Sequence, residues 1–283
     1  MKKKCSIKAK DAIKFYYFKS VRKKDAPYLI YIHGLGGNAT MWKEIEAENV
    51  KLGLNSICID LRGHGISDTP EEPEHYKLER IAEDICAVIK KEKIKDFSFI
   101  GHSFGGSMAM VFCTIYNSPK PSSFVFIQSC YEYPYAKNRE LNLNPLINIF
   151  FRKLIKMKII TNKVFPRIPE LDFFKVIKEN FIFQIFDELY YTPMKTIFNC
   201  LDASKEYTDK DGKKLVAMLK STKIPTLIIS SKRDETVPTT YSKELHKFMP
   251  HSELTIYEDA THSLPIERGI EVGQRINSFL QRG

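Results

Sequence analysis

The stretch from Phe97 to Gly106 reads FSFIGHSFGG and sets one serine, Ser103, between Gly101 and Gly105. A serine hydroxyl is a weak nucleophile at neutral pH, so attack on a carbonyl needs a base beside it and a third group to orient that base. Alone, such a cluster reads equally well as a turn, because glycine and serine both bend chains at little cost. The rest of the chain offers both partners. Asp234 lies in SKRDETVP and His262 in EDATHS, each directly after an apolar run. A histidine oriented by a carboxylate can take the serine proton and later return it to a leaving group.

Other residues compete for these roles. Glu132, in SCYEYP, follows the preceding apolar run and rivals Asp234 as the acid, whereas Asp259 lies so near His262 in sequence that it suits a loop turn better than contact with the ring. His33, His64 and His102 all sit in glycine- or serine-bearing turns and are read as supports of those turns, His64 together with Asp60 and Arg62.

The elements that must position these residues follow from the apolar pattern. Strands are expected at 13–19, 28–32, 55–60, 97–100, 123–129, 226–231 and 253–258, each a short β-branched or aromatic run closed by turn residues. Helices are expected at 41–52, behind Ser103 through Ile115, near 239–248 and at about 266–281; Leu78, Ile81, Ile85, Val88 and Ile89 mark another by their helical spacing. From 131 to 215 the chain changes character, with helix-like stretches at 144–160, 171–190 and 193–204 and no convincing strand. Strand–helix alternation on both sides of such a block implies an α/β protein: one mostly parallel sheet interrupted by a helical insertion. Ser103, Asp234 and His262 then fall at carboxyl ends of strands, the edge of a parallel sheet where ligands bind.

Composition bounds the function class. The 283 residues, 43% hydrophobic and 28% charged, suffice for one large α/β domain with an insertion and a substantial core. The net charge of +10 comes from lysines spread along the whole chain, without the clustered, glycine- or aromatic-interleaved pattern of a nucleic-acid surface, so no nucleic-acid partner is expected. No apolar stretch reaches the length of a signal peptide or a membrane span, so no stable membrane insertion is expected. Six dispersed cysteines without CxxC spacing argue for reduced thiols and a cytoplasmic location. Neither metal-ligand spacing nor a phosphate-cradling GxxxxGK occurs, and no cofactor or metal is implied.

With these residues in view, the chain resembles the α/β-hydrolase superfamily, specifically its lid-containing serine esterase and lipase-like members. Matching features run from residue 33 to 267: a glycine-bounded serine between strand and helix, then an acid, then a histidine, in that order. The resemblance implies the α/β-hydrolase fold, with a mostly parallel central sheet flanked by helices. Its core would be 1–130 and 216–283, with 131–215 a helical cap, or lid.

The resemblance further implies Ser103 as nucleophile, His262 as base and Asp234 as acid, with the backbone N–H groups of Leu35, in HGLGGN, and Phe104 facing the oxyanion. It implies hydrolysis of a small-molecule carboxylic ester, with small to medium hydrophobic acyl or aromatic groups suggested by the aromatic-rich insertion. Haloalkane dehalogenases and epoxide hydrolases of the superfamily carry an aspartate where this chain has Ser103, which points to acyl transfer to serine instead. Carbon–carbon bond hydrolysis of ring-cleavage products, iminopeptidase-like amide cleavage and non-catalytic ligand binding are the alternatives. Amide cleavage would call on an insertion carboxylate such as Glu170, Asp172 or Glu179 to hold the substrate amine.

Overall fold

Eight strands pair into one sheet in the order β1-β2-β4-β3-β5-β6-β7-β8. They are β1 (Lys3–Lys8), β2 (Lys14–Ser20), β3 (Tyr28–Ile32), β4 (Asn55–Asp60), β5 (Phe97–His102), β6 (Ser123–Ile127), β7 (Thr226–Ser231) and β8 (Glu253–Tyr257). The structure is a computed structural model that describes residues 2–133 and 192–282. β1 and β2 pair antiparallel with each other, as do β2 and β4; every other pairing is parallel. The expected strands at 28–32, 55–60 and 226–231 occur at those residues, and β1 is a strand the apolar pattern did not reveal.

The central strands are buried on both faces, which is why apolar residues stand side by side in them, as in Ile57–Ile59, Phe99–Ile100 and Leu227–Ile229, instead of alternating with exposed polar ones. On one face lie α2 (Leu78–Lys91), α3 (Phe104–Ile115), α4 (Met194–Ser221) and α5 (Thr239–Phe248), packed on Phe15, Tyr17, Phe99, Phe124 and Phe126. On the other, α1 (Lys43–Asn49) and α7 (Gly269–Leu280) cover Tyr31, Ile100, Val125 and Ile229, with Trp42 and Phe279 filling the layer. Short α6 (Leu264–Glu267) precedes α7.

The expected helix at 193–204 is the first part of α4, which continues without a break to Ser221. Of the insertion expected at 131–215, residues 134–191 lie outside the described residues, and with them the helices expected at 144–160 and 171–190 and the carboxylates Glu170, Asp172 and Glu179. The chain is followed to Tyr133, whose N–H donates to Thr208 Oγ1 of α4, and again from Thr192, whose hydroxyl donates to the carbonyl of Gly36. Both points lie beyond the carboxyl ends of the parallel strands.

Candidate active site

Ser103 follows β5 and precedes α3 with φ 50° and ψ −120°, a conformation a non-glycine residue adopts only when its surroundings enforce it. Here the enforcement is visible. The Ser103 N–H donates to the carbonyl of Ile127 at 2.9 Å, tying the turn to β6. A Cβ on Gly105 would stand 2.0 Å from the Ile32 carbonyl oxygen, and one on Gly101 would stand 2.5 Å from the Gly106 Cα. Helix α3 therefore reaches the sheet only because both positions lack side chains. The strained turn thrusts Ser103 Oγ out at the carboxyl edge.

The three sequence-predicted side chains meet at that edge. Ser103 Oγ lies 3.0 Å from His262 Nε2, and His262 Nδ1 lies 2.8 Å from Asp234 Oδ2. With the carboxylate on Nδ1, the imidazole keeps its proton there and offers the Nε2 lone pair to the serine hydroxyl. The Asp234 side chain is fully buried, and its other oxygen accepts the N–H groups of Thr236, at 2.9 Å, and Val237, at 2.8 Å. Those bonds hold the carboxylate fixed as an acceptor and explain why the loop after β7 turns where it does. Of the two rival acids, Asp234 is the one on the histidine Nδ1; Glu132 follows β6 and has its Oε1 buried.

His33, His64 and His102 each bond to the backbone of a loop, in keeping with their places in glycine- or serine-bearing turns. Fully buried His33 accepts the Leu61 N–H at 3.1 Å on Nε2 and donates from Nδ1 to the Gly34 carbonyl. His64 Nδ1 lies 3.0 Å from the Arg62 carbonyl. His102 donates from Nε2 to the carbonyl of His262 itself, at 2.9 Å. Burial lowers all three pKa values, to about 4 for His33 and about 3 for His64 and His102, so all three are neutral near pH 7.

Asp60 and Arg62 complete this support. The Asp60 carboxylate accepts the N–H groups of Ala39 and Ile66, at 2.7 and 2.8 Å. The buried Arg62 guanidinium grips Asp84 with two bonds, at 2.7 and 2.8 Å, and reaches Asp11 at 2.7 Å. Burial raises the Asp11 pKa, but hydrogen bonds from Arg62 and His75 outweigh it and bring the group down to about 2.

Leu35 and Phe104 flank the serine. Phe104 opens α3, where first-turn N–H groups have no intrahelical partner. The Leu35 loop lies directly over the nucleophile: a Cβ on Gly34 would sit 3.2 Å from Ser103 Cβ. Among the described residues, neither the Leu35 nor the Phe104 N–H is taken by a backbone carbonyl. Thr192, which clamps the same loop through the Gly36 carbonyl, was not anticipated. Nor was fully buried Gln128, whose amide donates to Ser231 Oγ at 2.8 Å and to the Thr261 carbonyl at 2.6 Å, pinning the loop that carries His262. Among the described residues, no group of three or more His, Cys, Asp or Glu side chains is placed to hold a metal ion.

A family model described as alpha/beta hydrolase fold matches residues 27–148. The chain has the α/β-hydrolase fold. Over nearly its full length, 89% of this chain and 90% of the relative, it is 24% identical to the AB hydrolase superfamily protein YisY of Bacillus subtilis. It is 31% identical to Epoxide hydrolase 3 of Xenopus tropicalis over 129 residues, which span 42% of this chain and 35% of that protein. Among solved structures, the esterase EaEST from Exiguobacterium antarcticum superposes with a TM-score of 0.74 over 98% of each chain, at 19% identity, a likeness in fold. These relatives include enzymes of more than one hydrolytic chemistry, so the chain's own residues must decide between them. No described helix is long and apolar enough to cross a membrane.

Proposed function

We propose that this protein is a serine hydrolase that cleaves carboxylic esters through an acyl-enzyme, with Ser103 as nucleophile, His262 as general base and then acid, and Asp234 as the orienting carboxylate. The observation that carries the reading is the unbroken line Asp234–His262–Ser103, with contacts of 2.8 and 3.0 Å, ending on a serine in a strained turn.

His262 Nε2 takes the Ser103 proton as Oγ attacks the ester carbonyl carbon. The carbonyl oxygen becomes an oxyanion, held by the N–H groups of Leu35 and Phe104, each of the kind worth about 2.7–4 kcal/mol in the transition state. The imidazolium, stabilised by Asp234, returns its proton to the departing alcohol as the tetrahedral adduct collapses. Water then attacks the acyl-Ser103 ester by the same path in reverse, giving the carboxylic acid and free serine. Epoxide-hydrolase chemistry is disfavoured, despite the relative at 31% identity, because the superfamily's epoxide hydrolases carry an aspartate at the position of Ser103.

The cap is the part of the expected 131–215 insertion that precedes α4, since residues 194–215 belong to that helix on the face of the sheet; it covers this edge and selects the substrate, in keeping with Tyr133 and Thr192 both lying at the same edge. The substrate is a small to medium ester with hydrophobic acyl or aromatic groups. All six cysteines are free thiols, four of them buried, which supports residence in a reducing cytoplasm.

Turnover of p-nitrophenyl esters from acetate to laurate, alongside a vinylogous diketone, tests the reading. Ester hydrolysis that varies with acyl length supports it. Equal rates along the series overturn the hydrophobic preference, and cleavage of the diketone with no ester turnover overturns the ester assignment.

A further inference from the structure

Residues 2–24 hold ten lysines and arginines and one acid, Asp11, and so carry nine of the chain's ten net positive charges. Lysines occur throughout the sequence; what is local is the lack of acids among these. The segment folds as the β1–β2 hairpin and the loop after it, at one edge of the sheet. Asp11 is committed to Arg62 and His75. Only two of the ten cations find a carboxylate, Lys2 on Glu46 and Lys19 on Glu92; among the described residues the other eight make no ion pair.

The pairing of Lys4 with Phe18 and of Lys8 with Lys14 puts these lysines with Tyr16 on one face of the hairpin, opposite the buried Phe15 and Tyr17. The Lys4 and Lys14 ammonium groups stand 5.9 and 5.0 Å from the Tyr16 ring centre, and Lys2 stands 5.8 Å from that of Phe18. Exposed lysines on β1 alone would serve to block strand addition at the sheet edge. Here the charge continues onto β2 and through Arg22, Lys23 and Lys24, away from the free edge, which edge protection does not require.

We propose that this hairpin is a docking surface for anionic lipid headgroups. Nine of its ten cations are lysines, point charges suited to a diffuse field of lipid charge, whereas bidentate recognition of nucleic-acid phosphates and bases favours arginine. The Lys4 and Lys14 ammonium groups already lie over the Tyr16 ring, where a stacked base would have to displace them. The hairpin turn with Lys8, Lys10 and Lys14 lies beyond the carboxyl end of β4, at the edge that carries Ser103, so docking brings that edge close to the lipid surface. The inference stands independently of the hydrolase reading.

The test is co-sedimentation of the full chain with phosphatidylcholine vesicles, with and without about a third phosphatidylserine, at about 0.1 M and about 1 M salt. Binding only to the anionic vesicles, lost at high salt, is expected. The triple variant Lys4→Gln, Lys8→Gln, Lys14→Gln is expected to lower the partition coefficient on the order of 100-fold. The charge-preserving Lys→Arg triple retains binding and shows that the positions tolerate change, and Lys213→Gln with Lys214→Gln on α4 leaves it unaltered. Failure of the wild-type chain to bind anionic vesicles at low salt overturns the proposal. So does an equal loss on the α4 variant, or binding of single-stranded RNA through the same three lysines when the vesicles are not bound.

Discussion

His102 Nε2 donates a hydrogen bond to the carbonyl oxygen of His262 at 2.9 Å, so the residue beside the strained serine holds the loop that carries the histidine facing it. Gln128 grips the preceding carbonyl, that of Thr261, and Glu267 accepts the Thr261 N–H at 2.9 Å. The position of His262 is thus set from three sides by neighbours that touch no reacting atom.

Losing the His102 bond lets that loop shift without removing any group from the chemistry. His102→Ala is expected to lower kcat about five- to tenfold, the worth of one hydrogen bond of about 1 kcal/mol, with KM little changed. Because burial keeps His102 neutral down to about pH 3, the pH profile of kcat between 5 and 9 should keep its wild-type shape. A displaced profile would mean that His102 itself transfers a proton.

Asp234 occupies His262 Nδ1, and Glu132 is the rival that sequence alone left open. Asp234→Asn is expected to reduce kcat by about 10⁴-fold, since an amide donor favours the wrong imidazole tautomer. Glu132→Gln should stay within a few-fold of wild type. Steady-state kinetics of the two variants on one ester separates the candidates, and the reverse order of losses would assign the acid to Glu132.

Gly105 sits where a methyl group would stand 2.0 Å from the Ile32 carbonyl oxygen and 2.6 Å from that of His33. Both obstacles are backbone atoms, so α3 must move away from β3. Gly105→Ala is expected to cost about 3 kcal/mol in urea unfolding, at the upper end of overpacking effects. It should also lower kcat, because Ser103 moves with the helix.

The buried histidines make stability depend on pH. In the folded chain His33, His64 and His102 take up protons only near pH 4 or 3, whereas unfolded histidines do so near 6.5. Between those values the unfolded state binds more protons, so folding stability is full above about pH 6.5 and falls as pH drops. Burial pushes Asp84 up to about 6 against the pull of Arg62, which works in the opposite direction and offsets roughly one histidine. The remaining two protons amount to a loss of about 3 kcal/mol from pH 6 to pH 5. Urea titrations at those two pH values check it, and His64→Gln should flatten the slope.

Much of the fold was readable because its physics is local. Runs such as NSICID and TLIISS are buried on both faces, so their strands announce themselves without alternation. β1 hid because lysines fill half of KKCSIK; only Cys5 and Ile7 face the core, too few for a period to show. Helix α4 outran its expected end because, beyond residue 204, polar residues outnumber the buried Tyr207, Leu215 and Leu219. That Ser103, Asp234 and His262 come together was legible because each follows a strand whose carboxyl end lies at the same edge of the sheet. Gln128 and Thr192 were not, since each acts through a hydrogen bond to a backbone carbonyl more than a hundred residues away in sequence.

The nucleophile itself is tested most directly by a fluorophosphonate probe, with peptide mapping of the adduct in wild type and in Ser103→Ala. The expected result is a single phosphonyl group on the peptide that carries Ser103, no labelling of the variant, and ester turnover reduced on the order of 10⁶-fold. Labelling of the variant to the same extent, or its undiminished turnover, would place the reactive group elsewhere and contradict the assignment of Ser103.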